Sequence, residues 1–90
     1  MSTEFVHVGF SNIIDVSDII AIAVPDSAPT KRAIHEARDR QQLIDLTNGR
    51  RTKSVIFVKG GYVALAALAP ETIVARQKEK SNEKNNNVES

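Results

Sequence analysis

Cysteine and tryptophan are both absent from this chain. Without Cys there is no disulfide, no thiol nucleophile and no Cys-ligated zinc, a composition compatible with a reducing cytoplasm without proving it. Met1-Ser2-Thr3-Glu4 lacks the basic flank and long apolar region of a secretory leader. Long hydrophobic runs are missing too. The longest, Ile19 to Val24, falls far short of the roughly 20 residues that cross a bilayer, so no membrane partner is expected. Aromatic side chains are few, and Phe5, Phe10, Phe57 and Tyr62 all sit inside apolar runs. Proteins that read single strands stack bases on exposed aromatic platforms, and this chain has no such set to spare.

The residue patterns of catalysis are also missing. His7 lies in an apolar run and is read as a satisfied strand residue, whereas His35 falls on an exposed helix line. A metal site would have to bring both together with a carboxylate from elsewhere in the fold. No Ser stands in a nucleophile-elbow pattern, and Gly60-Gly61 lacks the flanking spacing of a phosphate-binding loop. Asp15, Asp18 and Asp45 could supply paired carboxylates, but nothing singles them out. We therefore expect no catalytic residue, no metal, no cofactor and no small-molecule substrate.

What the chain does have is an uneven distribution of charge. Its 90 residues carry a net charge of +1. Residues 1–27 hold Glu4, Asp15, Asp18 and Asp26 and no Lys or Arg. From Lys31 to Lys59 there are eight cations (Lys31, Arg32, Arg38, Arg40, Arg50, Arg51, Lys53, Lys59) against Glu36, Asp39 and Asp45. Such asymmetry points to one side that faces a polyanion. The densest part is Thr47-Asn48-Gly49-Arg50-Arg51-Thr52-Lys53, between the apolar segments Leu43–Leu46 and Ser54–Val58. Asn-Gly between two strand-like runs predicts a hairpin, since both residues tolerate positive φ. A tight turn would hold Arg50, Arg51 and Lys53 out in solvent as a working surface; the bland alternative is a charged hairpin with no partner.

In chain order, Phe5–Phe10 reads as a first strand, with a turn or bulge at Gly9 and Ser11-Asn12. Ile19-Ile20-Ala21-Ile22-Ala23-Val24 is apolar at every position, which fits a strand covered on both faces. A chain this short has one internal helix to cover one face, so Ile19, Ile20, Ile22 and Val24 are expected to meet another protomer. A small core that gains burial by oligomerising is a common solution at this length. Pro25-Asp26-Ser27-Ala28-Pro29 ends that strand and starts a helix over about 28–41, capped by Asp26 or Ser27, with Ala33, Ile34 and Ala37 as its apolar stripe. Arg32, Glu36 and Arg40 are spaced to form an exposed ladder. Lys31, Arg32 and Arg38 either support anion binding or form a solvated face. Lys59-Gly60-Gly61 makes a second turn; residues 62–68 could be strand or helix by composition, and the Gly-Gly and hairpin context favour a strand beside Ser54–Val58. Pro70-Glu71 opens a short helix whose ordered part ends at Arg76. Residues 77–90 are Lys, Glu, Asn and Ser with one Val and are expected to be a disordered polar tail after a single domain over 1–76.

Several blocks then look familiar together: Gly9-Phe10-Ser11-Asn12-Ile13, Pro25 through Arg32, Ala37-Arg38-Asp39-Arg40, Leu43-Ile44-Asp45, Gly49-Arg50-Arg51-Thr52 and Pro70-Glu71-Thr72. In order and spacing this sequence resembles the RemA family of bacterial extracellular-matrix regulatory proteins over roughly residues 4–76. The resemblance implies a small cytoplasmic DNA-binding activator of biofilm-matrix genes that assembles into a curved higher oligomer around which DNA wraps. By position it makes Arg50 and Arg51 the DNA-contacting pair and puts Lys53 where the family has a cation. One departure is Asp18, which stands where well-known members carry a basic residue linked to DNA binding.

The expectation is thus an α+β fold, a small mostly antiparallel sheet with one central helix packed on it and a short C-terminal helix, assembling into a higher oligomer. Its partners would be double-stranded DNA and copies of itself. The competing readings are a self-assembling scaffold that binds an acidic protein, and an RNA-binding protein.

Overall fold

The computed structural model describes residues 4–9 and 12–76; the expected polar tail over 77–90 lies outside the described residues. The elements are β1 (Phe5–Gly9), β2 (Asn12–Asp15), a single 3-10 turn (Val16–Asp18), β3 (Ile19–Ala23), α1 (Ala28–Asp39), β4 (Leu43–Asp45), β5 (Ser54–Val58), β6 (Tyr62–Ala66) and a second helix, α2, over residues 70–76. β1 and β2 form a two-stranded antiparallel ribbon, and the other four strands form a sheet in the order β3-β5-β6-β4. All pairings are antiparallel except β4 with β6. The fold is α+β, as expected.

Strand direction explains the connections. β3 and β4 both run the same way as β6, so the chain leaving β3 must return across the sheet before β4 can start. A parallel crossover of that kind needs a helix, and α1 supplies it. Ser27 caps α1 by accepting from Thr30 N at 3.3 Å, and Pro29 sits in the first turn, where its missing N–H costs nothing. The helix stops at Asp39, two residues before the expected end. There Gln41 takes φ 60°, and the two bonds of a Schellman motif form: Gln41 N to Arg38 O at 3.1 Å and Gln42 N to Ala37 O at 2.8 Å. A Gln in the position that usually holds Gly gives no stop signal in the sequence.

The sheet is covered on both faces by alternation along β5 and β6. Val55, Val63 and Leu65 pack with Ala37, Ile34, Leu43 and Phe57 under α1. Ile56, Ala64 and Ala66 pack on the other face with Val6 and Val8 of β1 and Ile73 of α2. The molecule is therefore three layers, with α1 on one side of the sheet and the β1–β2 ribbon and α2 on the other.

One expectation is corrected here. Leu43–Leu46 and Ser54–Val58 do not form a hairpin, because β6 lies between β4 and β5. Ile19–Val24, expected to meet another protomer on one face, supplies β3. It is an edge strand with a bulge between Ile19 and Ala21, so Ile19 and Ile22 both reach the core while Ile20 is 67% and Val24 50% exposed. The extra residue resets the two-residue alternation, which is why the run reads as uniformly apolar.

Ile56 is fully buried at the centre of the sheet, in the core beneath β1 and α2. Ile56→Ala should cost about 2–5 kcal/mol, a large share of a small domain's stability, and a urea titration should show the midpoint falling steeply with a far smaller change for Ile56→Val.

Candidate functional site

Residues 46–53 connect β4 to β5 and have to pass over the end of β6 to do so. Two backbone bonds hold this arch astride that strand: Leu46 N donates to Leu65 O at 2.9 Å on one side, and Lys53 N to Ala66 O at 2.8 Å on the other. At the entry, Asp45 Oδ1 accepts from Thr47 N at 2.9 Å and from Thr47 Oγ1 at 2.6 Å, and Thr47 is buried. Those two bonds hold the Asp45 carboxyl below its ordinary value, the hydroxyl contributing more than the amide. Asn12 Nδ2 also donates to Leu46 O at 3.4 Å. At the exit, buried Ser54 donates its hydroxyl to Leu68 O.

The Asn-Gly turn itself forms as its chemistry requires. Asn48 has φ 54° and Gly49 φ 81°, and Arg50 N donates to Thr47 O at 3.0 Å. No heavy atom would crowd a Cβ at Gly49, so its requirement for glycine is conformational rather than steric. The turn is a bend inside the arch instead of the tip of a hairpin.

The arch delivers Arg50, Arg51 and Lys53, all exposed, to one open groove of about 710 Å³. Gly9, Ala67 and Leu68 also line it, and the remaining lining is His7 of β1 and Arg76 of α2. Arg76 Nη1 donates to His7 O at 3.4 Å, tying the helix to the ribbon. Among the described residues no Asp or Glu lines this groove. Four permanent cations and an imidazole share it, which suits a polyanion and gives nothing that could act as a general base toward a bound substrate other than His7.

His7 and Arg76 were not singled out as site residues by sequence reasoning. A usable signal existed for His7: Val6 and Val8 point into the core, so period-two alternation turns His7 outward. Arg76 had none, since its place depends on how α2 docks.

The other expected anion-binding residues lie elsewhere. Lys31, Arg32 and Arg38 are exposed on α1, on the opposite face of the sheet, and do not line the groove. On that helix the contact formed is His35 Nε2 to Asp39 Oδ2 at 3.5 Å, between exposed partners, rather than the Arg32–Glu36–Arg40 ladder. Asp18 is also remote. Its carbonyl accepts from Lys59 N at 2.9 Å, at the far end of β5 from the arch, a separation of about 17 Å along the strand. Of the expected self-contact residues, Ile19 and Ile22 serve the chain's own core. Ile20 instead borders a second, mostly apolar groove of about 340 Å³ with Ala33, Phe57 and Tyr62.

Comparison with known proteins agrees with the order of blocks along this chain. Residues 5–77 match the family described as RemA-like, extracellular matrix regulatory protein A-like. A relative in Dehalococcoides mccartyi is 57% identical over 76 residues, covering 84% of this chain and 79% of that protein. One in Carboxydothermus hydrogenoformans is 46% identical over 86 residues, covering 96% and 99%. One in Brevibacillus brevis is 46% identical over 83 residues, covering 92% and 96%. All three are named, provisionally, as regulatory proteins. No helix among the described residues is long and apolar enough to cross a membrane.

The Asp45–Thr47 contact predicts a pH dependence. A carboxyl held below its ordinary value of 3.8 contributes stability that is present above that value and is lost as the pH falls through the lowered folded value. Asp45→Asn should therefore melt slightly below the wild type at pH 7, by less than about 1 kcal/mol given the solvent exposure. In thermal melts the gap should close as the pH is taken below the folded value.

Proposed function

The chain belongs to the RemA-like family and is a regulatory protein, and from that premise we propose that it acts as a transcriptional regulator that grips duplex DNA through the arch-borne groove. The observation that carries this reading is the convergence of Arg50, Arg51 and Lys53 on one groove without a carboxylate among its described lining. Guanidinium groups suit phosphate because their planar donors match two oxygens at once. No Phe or Tyr is among the described lining of the groove, which favours backbone contact over base stacking.

One protomer that neutralises three phosphates has a salt slope of about −2.7, which is weak and insensitive to sequence. Repetition of the groove on a rigid homo-oligomer makes every contact after the first intramolecular and raises avidity by roughly 10²–10⁴-fold. Preference among sequences then comes from how readily a given duplex bends around the array. In this reading the genes controlled are those of the extracellular matrix, and the protein works in the cytoplasm on DNA.

Self-association is supported by the apolar surface that β3 leaves open. Ile20, Val24 and Tyr62 are all substantially exposed, and the groove beside Ile20 is lined mainly by apolar groups. A second copy seated there would bury them. Ile19 and Ile22 contribute only by holding the strand in place.

Two measurements check the proposal. Arg50→Ala/Arg51→Ala should remain folded, bind duplex DNA more weakly and reduce the salt slope by about 1.8 per protomer, because two phosphate contacts are gone; unchanged affinity in the folded double variant would remove the arch from the mechanism. Ile20→Glu should shift the mass seen by light scattering toward the single chain and weaken DNA binding with Arg50 and Arg51 intact. An unaltered assembly would place the self-contact elsewhere.

A further inference from the structure

The arch is one wall of the groove, and His7 on β1 and Arg76 on α2, both exposed, form a second, lining the same concavity as Arg50, Arg51 and Lys53. Resting on the proposed reading of this site, we infer that Arg76 and His7 are DNA contacts in their own right, and that a phosphodiester strand lies in the groove against both sets of residues instead of crossing the tip of the arch.

The placement of these groups supports that path. Arg76 is fixed from behind by its bond to His7 O at 3.4 Å, which uses one nitrogen of a guanidinium that has five N–H donors. Ile73, one turn earlier on α2, is fully buried and anchors that end of the helix in the core. The wall is therefore a docked surface rather than a trailing end. His7 is fixed by the alternation that buries Val6 and Val8. The remaining lining, Gly9, Ala67 and Leu68, offers no charge that would compete for the phosphates. A strand seated there meets cations from the arch and from α2, and Arg76 adds one phosphate contact per protomer to the three of the arch.

The test is a titration of a duplex oligonucleotide at several salt concentrations with the full chain. Its variants are Arg76→Gln, Arg76→Lys, His7→Glu and, as reference, Arg50→Ala/Arg51→Ala. Arg76→Gln should reduce the salt slope by about 1 for each protomer in contact and weaken binding alike across sequences. Arg76→Lys should restore the slope, which a purely structural role for the guanidinium would not allow. His7→Glu sets a carboxylate into the same wall and should weaken binding further without altering the melting temperature. If the arch variant loses affinity while Arg76→Gln and His7→Glu bind with wild-type affinity and slope, the second wall is not a contact and the inference is wrong, with the proposed function intact. The inference fails equally if Arg76→Lys binds no better than Arg76→Gln. If the arch variant also binds as wild type, the reading of the groove fails along with it.

Discussion

Two carbonyl oxygens on successive residues of β6, those of Leu65 and Ala66, hold the arch that carries the basic residues. Successive carbonyls of a strand point to opposite sides, so each receives one end of the arch and the chain is forced to ride over the strand end. This follows from strand order. Once β6 has inserted between β4 and β5, the link between those two must span two interstrand gaps, about 10 Å. The arch is thus a by-product of sheet topology, and it is stiffer than a free loop because both feet stand on the sheet. Asp45 with Thr47 and Ser54 with Leu68 tighten the same two feet.

From that constraint the electrostatics follow. The strand end that the arch covers is also where the chain runs on through Ala67 and Leu68 to α2, and where β1 passes on the same face. Four segments far apart in sequence are brought to one concavity, and each delivers cations, an imidazole or neutral lining. The helix α1, although it carries Lys31, Arg32 and Arg38, packs against the other face and answers to a different surface. Its neighbour is the apolar groove beside Ile20, where a second copy of the chain is the proposed occupant. One face of the molecule thus serves DNA and the other serves assembly in the proposed mechanism, with the sheet as the rigid plate between them.

Local chemistry was readable from the sequence, and pairing between distant segments was not. Ser27 and Pro29 announce the start of α1, Gly60-Gly61 announces the β5–β6 turn, and Asn48-Gly49 takes the positive φ values that its composition requires. The same Asn-Gly signal misled on topology, because a turn fixes the direction of the chain over four residues and says nothing about which strand lies alongside. The bulge at Ile20 and the Gln41 helix stop also escaped, each being a backbone conformation adopted by a residue with no special preference for it. In the site, Arg50, Arg51 and Lys53 were legible as a cluster because they are adjacent in the chain. His7 and Arg76 lie 69 residues apart and meet only through the packing of α2 on β1.

The central claim is that the polyanion occupies the groove face and leaves the α1 face untouched. Lysine acylation read by mass spectrometry, with and without added duplex, tests it on the full chain. DNA should shield Lys53 strongly while Lys31 on α1 and Lys59 at the far end of β5 keep their reactivity. Shielding of Lys31 with Lys53 still reactive would contradict the claim.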